Sequence, residues 1–368
     1  MISRLVPPHI AAIDPYPPGK PIEELERELG IKNSIKLASN ENPLGPSPKA
    51  VAAVREKLDG LHRYPDGSGY YLRRRIAEKL GVPMEAVVIG NGSNEILELV
   101  IRTFVRPGLE VIIPNPSFLV YRLAVQTVGG TVVSVPLKDF TIDLDGVLRA
   151  VTDRTRLIFI NNPNNPTGTV LSKTAFTDFF QALPADVVVV IDEAYIEFAP
   201  SGSTFDGLDF VSAQGPWVVT ARTFSKAYGL AGLRVGYGIM DPAVAAFLHR
   251  VRQPFNVSTL AQVAALAALD DDDFLERSRR VVREGLAYLY RGLDALGVAY
   301  LPTHTNFFLI AVPVDAKKIY EAMLREGVIL RAMNAYGLDR HIRVNVGLPE
   351  ENERFLKAFA KVLEQFNR

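Results

Sequence analysis

Two patterns of apolar residues alternate along the middle of the chain. Helical spacing marks AVAAVREKL (50–58) and YLRRRIAEKLG (71–81), the second stopping at Gly81. A further helix sets Ile96, Leu97, Val100, Ile101 and Phe104 on one face. Short runs recur along the same stretch: VVIG, EVIIP, TVVSVP, LIFI, VVVVID, WVVTA and RVGYGIM. They are β-branched, mostly apolar without strict alternation, and bounded by turn residues. Strands buried on both faces read this way, so the pattern predicts an α/β fold with a mostly parallel sheet covered by helices.

The pattern changes at both ends. Residues 1–48 read as an arm and part of a small domain, because Pro7, Pro8, Pro15, Pro17, Pro18 and Pro21 exclude regular helix there. A short helix, IEELERELG, then stops at Gly30, and Asn40 to Pro48 form a rigid polar loop. Residues 49–258 carry the alternating elements of a large domain. Residues 259–368 begin with an alanine-rich interdomain helix, whose Asp270 to Asp273 run reads as a solvated break, not a metal cluster. A smaller α+β domain follows, with strands FFLIAV and HIRVNV and a last helix, ENERFLKAFAKVLEQF.

Composition narrows the function. Forty-one basic residues balance 41 acidic ones, which argues against a non-specific nucleic-acid binder or a polybasic membrane protein. Cysteine is absent, which removes disulfides, thiolate nucleophiles and cysteine metal sites. His9, His62, His249, His304 and His341 lie far apart, so no metal is expected. No apolar run approaches the ~18–20 residues that span a bilayer. The first twenty residues are broken by prolines and an aspartate, so no signal peptide is read and a cytoplasmic setting is expected.

Gly90-Asn-Gly-Ser-Asn-Glu95 opens like a dinucleotide fingerprint but has Glu95 where the third glycine belongs, and no P-loop occurs. What remains is a strand, a tight turn and a helix N-terminus with Ser93 and Asn94. Free N–H groups and a dipole end of about +0.5 charge make that a phosphate cup; an ordinary helix cap is the alternative.

Three further segments fall at strand ends, where open α/β sheets bind ligands. They are Asn161 to Gly168 (NNPNNPTG), Asp192-Glu-Ala-Tyr195, and Thr223-Phe-Ser-Lys226, with Arg234 eight residues after the lysine. Each alone has an ordinary explanation as a turn, a cap or a surface charge. Together they suit an aldehyde cofactor with a phosphate and a pyridine ring. Lys226 can form a Schiff base, and Asp192 can pair with a protonated pyridine nitrogen. Asn165 and Tyr195 can bond the ring's phenolic oxygen. Thr223, Ser225, Arg234 and the helix N-terminus can take the phosphate.

At these residues the sequence resembles the fold-type I pyridoxal-phosphate aminotransferases of class I/II. Toward the ends, YPPGK (16–20), SNENPLGP (39–46), RYPDGS (63–68), GVILR (327–331) and IRVNVG (342–347) are similar to the histidinol-phosphate aminotransferases. The resemblance implies a large domain with a mixed, mostly parallel sheet plus a smaller α+β domain, and pyridoxal 5'-phosphate as cofactor. It makes Lys226 the catalytic lysine and Asp192 the pyridinium partner, with Asn165 and Tyr195 on the phenolic oxygen. Ser93, Asn94, Thr223, Ser225 and Arg234 become the phosphate cup, and Phe118 the ring stacked on the cofactor.

Arg343 resembles the arginine that receives the substrate's anion, with Tyr16, Tyr64 and Arg331 as further substrate contacts. Tyr64 is expected in the neighbouring subunit's site of a homodimer. The implied reaction is transamination between glutamate and imidazole-acetol phosphate. Three readings stand beside it: an aromatic aminotransferase, a threonine-phosphate-type decarboxylase, and a non-enzymatic sensor of the cofactor. The last would need a DNA-binding domain, for which the first 48 residues leave no room.

Overall fold

The computed structural model describes residues 2–211 and 215–366. After a two-residue strand β1 (Ile35–Lys36), seven strands build one large sheet. They are β2 (Val87–Gly90), β3 (Glu110–Asn115), β4 (Thr131–Pro136), β5 (Thr155–Asn161), β6 (Val188–Asp192), β7 (Trp217–Thr223) and β8 (Gly236–Met240). Their spatial order is β2-β8-β7-β6-β5-β3-β4. Every pairing is parallel except the two made by β8. The chain returns from β7 to β8 without a crossover helix, and Phe224 N–H bonds Val235 C=O at 3.1 Å. That short return makes β8 antiparallel.

The missing alternation in the strands has a direct cause. In β6, Val188 and Val190 enter a cluster with Leu97, Val100 and Ile101 of the helix Ser93–Phe104. Val189 and Ile191 enter the opposite cluster, with Phe176 and Phe179 of the helix Lys173–Gln181. Both faces are covered, so both sets are apolar. TVVSVP departs from the expectation of full burial. It is the edge strand β4, and only Val135 in it is buried.

The small sheet is antiparallel, in the order β12-β13-β10-β9. Its strands are β9 (Tyr300–Leu301), β10 (Phe307–Ala311), β12 (Arg331–Ala332) and β13 (His341–Asn345). Phe308, Ile310, Ile342 and Val344 pack there against Phe355 and Phe359 of the last helix, Pro349–Phe366. The arm joins this part, because β1 pairs in parallel with β11 (Val328–Ile329).

Two expectations need correction. A helical turn, Pro8–Ala11, forms inside the proline-rich arm. Pro8 sits in its first turn, where the missing N–H costs nothing. The alanine-rich segment does break at Asp270–Asp271, between the helices Thr259–Leu269 and Asp272–Ala295, but its aspartates are not merely solvated. Asp271 is buried and accepts from Ser47 Oγ, Asp270 pairs with Arg75, and Asp272 pairs with Lys79. The loop before the helix Pro48–Arg55 and the helix Tyr70–Leu80 supply those partners.

Candidate active site

A cleft opens at the C-terminal ends of β5, β6 and β7, between the large sheet and the small one. At its floor the helix Ser93–Phe104 begins after Gly92, which has φ +75° and no capping side chain. First-turn N–H groups without a side-chain cap are what an anion needs. Thr223, Ser225 and Arg234 face the same spot. The Thr223 hydroxyl donates to Ser225 Oγ at 3.0 Å, and Arg234 Nη1 donates to Ser225 Oγ at 3.3 Å and to Ala231 C=O at 3.1 Å. A Cβ at position 92 would lie 2.6 Å from Arg234 Nη2, so glycine there is what lets the guanidinium close the cup.

Asp192 ends β6 facing the cleft. Tyr121 donates its hydroxyl to Oδ2 at 2.7 Å, and Ala194 N–H donates to Oδ1 at 3.1 Å. Burial still pushes this carboxyl up to about 6, against both bonds. Among the described residues no Lys, Arg or His comes within ion-pair distance of it. Phe118 lines the cleft and meets Tyr121 edge-on, with ring centres 5.6 Å apart.

Lys226 follows β7 into the same space. Its Nζ donates to Ser39 C=O at 3.1 Å and lies 5.7 Å from the centre of the Tyr195 ring. Burial, then the nearby Arg343 and Arg234 charges, lower this amine to about 8. At pH 7 about a tenth of it is then neutral, far more than at its ordinary value, which makes it a usable nucleophile and base.

Tyr195 accepts from Asn40 Nδ2 at 2.9 Å, and burial pushes its phenol up to about 12. Asn165 Oδ1 accepts from Arg343 Nη1 at 2.7 Å, which leaves the Asn165 amide N–H₂ for the cleft.

The roof is cationic. Arg343 on β13 stands opposite Arg331 on β12 in the sheet register. Arg343 is only 7% exposed, bonds Ala38 C=O at 2.8 Å, and its Nε has no partner. Arg331 bonds Pro17 C=O at 2.8 Å and lies 5.9 Å from the centre of the Tyr16 ring. Neither guanidinium has a carboxylate within ion-pair distance among the described residues. An anionic ligand is the complement such a pair calls for.

Thirteen of the fourteen candidate residues expected from sequence therefore line one cleft. Tyr64 does not. It is 82% exposed, stacks on Phe255 at 4.8 Å and lies outside the cleft of its own chain. Sequence reasoning missed Tyr121, Asn40 and Tyr336, all of which touch the cleft or its key side chains. Tyr121 lies three residues after Phe118, and Asn40 lies in the polar loop, so both stood near residues already singled out.

The donor set fits pyridoxal phosphate on three structural observations. The cup offers anion donors, buried Asp192 lacks a cation, and a buried amine of lowered basicity lies in the same cleft.

The fold and this site define a pyridoxal-phosphate enzyme, and the chain belongs to the aminotransferase class I and II family, whose model matches residues 32–359. It is 50% identical to the histidinol-phosphate aminotransferase of Desulfotalea psychrophila, over 98% of this chain and 96% of that one. A solved histidinol-phosphate aminotransferase from Sinorhizobium meliloti, in complex with pyridoxal-5'-phosphate, superposes with a TM-score of 0.89. That match covers 98% of this chain and 97% of that one, at 30% identity. A double mutant of Thermus thermophilus aspartate aminotransferase also superposes, with a TM-score of 0.84 at 27% identity, over 97% and 99% of the two chains. The fold alone therefore does not select the substrate.

Proposed function

We propose that the protein is a histidinol-phosphate aminotransferase of histidine biosynthesis. It would use pyridoxal 5'-phosphate to move an amino group between L-glutamate and imidazole-acetol phosphate, giving 2-oxoglutarate and L-histidinol phosphate. The names of the half-identical relatives support this reading, and the observation that carries it is Arg343. A buried guanidinium without a carboxylate, beside a second one on Arg331, suits a substrate phosphate.

When bound, the cofactor supplies an electrophilic aldehyde and a ring that takes up the electron pair released at the substrate's α carbon. Ser93, Asn94, Thr223, Ser225 and Arg234 would hold its phosphate, and Phe118 would stack on the ring. Asp192 holds the proton on the ring nitrogen. Asn165 and Tyr195 donate to the phenolic oxygen. Lys226 would anchor the cofactor's aldehyde carbon and, as a free amine, would move a proton at the substrate's α carbon. Tyr16, Arg331 and Arg343 orient the substrate's anionic end.

The test is a half-reaction series on the cofactor-loaded protein with histidinol phosphate, histidinol, phenylalanine and tyrosine. Charge-assisted bonds of about 1.5–3 kcal/mol each predict that histidinol phosphate beats histidinol at least a hundredfold in kcat/KM. Arg343→Ala should erase most of that margin and leave cofactor binding intact. A faster reaction with phenylalanine or tyrosine would replace this reading with the aromatic one.

We propose a homodimer working in the cytoplasm, with Tyr64 reaching the partner's cleft. The exposed Tyr64 ring and exposed Leu61 beside it support that arrangement. Mixing Lys226→Ala subunits with Tyr64→Phe subunits should then restore activity above either parent, because one hybrid site carries neither defect. Proven subunit exchange without recovery would mean Tyr64 serves no partner site.

A further inference from the structure

Asn40 is one of six described residues other than glycine with positive φ, at +54°, and it is 1% exposed. Asparagine is among the few L-residues that adopt this conformation readily. Two side chains of the small-sheet region fix its backbone. Asn345 Oδ1 accepts its N–H at 3.1 Å, and Asn306 Nδ2 donates to its C=O at 3.1 Å. From that fixed backbone the Asn40 amide reaches across to Tyr195 and donates from Nδ2 to the phenol oxygen at 2.9 Å.

A phenol has one proton to give and accepts through its lone pairs. The Asn40 N–H occupies the accepting side, so the Tyr195 proton is not spent on Asn40. No other acceptor for it occurs among the described residues, and Tyr195 lines the cleft. Its ring is held edge-on against Phe307, with centres 5.0 Å apart. The reversed amide would leave a buried N–H₂ unpaired. The observed orientation leaves only the Asn40 carbonyl oxygen unpaired, which proteins tolerate better.

We infer that Asn40 is a positioning residue that directs the Tyr195 hydroxyl proton into the cleft, toward the phenolic oxygen of the bound cofactor. This rests on the reading above that Tyr195 serves that oxygen. The same Asn40 bond works against the rise that burial imposes on the Tyr195 phenol. The strand that carries Arg343 also carries Asn345, so the small sheet holds both the anion-facing guanidinium and the anchor of Asn40.

The readout is the pH midpoint of the long-wavelength absorbance of the cofactor-loaded protein, together with its cofactor dissociation constant. A donor on the phenolic oxygen favours its deprotonated form and holds the midpoint down. Asn40→Gly suits the left-handed backbone and removes only the amide. It should raise the midpoint by about 0.5–1 unit, as loss of one hydrogen bond implies. Asn40→Asp keeps the shape but draws the phenol proton toward itself, so it should raise the midpoint further. In a Tyr195→Phe background Asn40→Gly should add nothing.

A midpoint moved by Tyr195→Phe but by neither Asn40 variant overturns the inference about Asn40. So does a full additional shift in the double variant, which would mean that Asn40 acts apart from Tyr195. No shift on Tyr195→Phe itself overturns the reading of Tyr195, and the inference with it. Misfolding of the glycine variant and of the aspartate variant would have different causes, so either one that loads cofactor suffices for the test.

Discussion

Asp192 and Glu193 follow one another at the end of β6, and Arg222 and Thr223 do so at the end of β7. Asp192 and Thr223 face the cleft, while Glu193 and Arg222 face the back of the sheet. On the back, Arg222 donates to Glu193 at 2.8 Å and to Asp206 at 2.7 Å, and Gly207 N–H donates to Glu193 at 2.6 Å. On the front, among the described residues, Asp192 has hydrogen bonds but no cation, and Arg343 and Arg234 have no carboxylate. On the back, Glu193 and Arg222 are matched within the chain. The front-side charges are unmatched among the described residues, and a ligand that matched them would add stability on binding.

The comparison predicts that front-side changes cost activity and back-side changes cost stability. Lys226→Ala is the most severe on the front. It should lower turnover about ten-thousandfold or more, the upper range for a proton-transfer residue, and still bind cofactor through the cup. Borohydride reduction should attach cofactor mass to the Lys226 peptide of the parent and to no peptide of the variant. Label on a different lysine in the parent would break the assignment at its centre.

Next comes the pair of neighbours. Asp192→Asn should slow α-proton removal roughly a thousandfold, about 4 kcal/mol of barrier, because an amide cannot hold a proton on a ring nitrogen. Its thermal midpoint should stay within a few degrees of the parent. Glu193→Gln should do the reverse. Arg222 would then face only Asp206, which is half exposed, and a broken buried pair costs about 3–5 kcal/mol. Calorimetry with single-turnover rates on both variants checks this. Equal losses of rate and stability in the two would erase the distinction between the faces.

Sequence made one side of this contrast legible. Asp192, Lys226 and Arg234 stand at strand ends or at a fixed spacing in one short segment, so their convergence follows from local chain order. The same pattern cannot tell that Glu193 is a structural charge, because its partner Arg222 lies 29 residues away on the next strand. Tyr121 and Asp192 are 71 residues apart, and Asn40 and Asn345 are 305 apart. Contacts of that kind depend on how the sheets stack, which apolar periodicity does not encode. The antiparallel sense of β8 was hidden likewise. RVGYGIM reads as another buried strand, and only the short return through Lys226 reverses it.

The smallest effect isolates Asp192 by pH. Without cofactor, burial raises Asp192 from its ordinary value near 4 to about 6. Between those values the folded chain holds a proton there that the unfolded chain has lost. Stability of the cofactor-free protein should therefore fall as pH rises through that window, by about 3 kcal/mol at most from this group. Asp192→Asn removes the contribution, so above pH 6 the cofactor-free variant should be the more stable of the two, and at pH 4 the difference should vanish. Other buried carboxyls, Glu197 and, despite its bond to Arg222, Glu193 among them, also rise with burial, but they are common to both proteins and cancel in the comparison. Cofactor should abolish the difference by a separate route, since a cationic ring nitrogen gives Asp192 the partner it lacks and draws its carboxyl back down. Urea midpoints of parent and variant from pH 4 to pH 7, with and without cofactor, measure all four cases. Parallel curves for the cofactor-free proteins would mean that Asp192 already has its counter-charge within the chain, and the contrast between its two faces would fail.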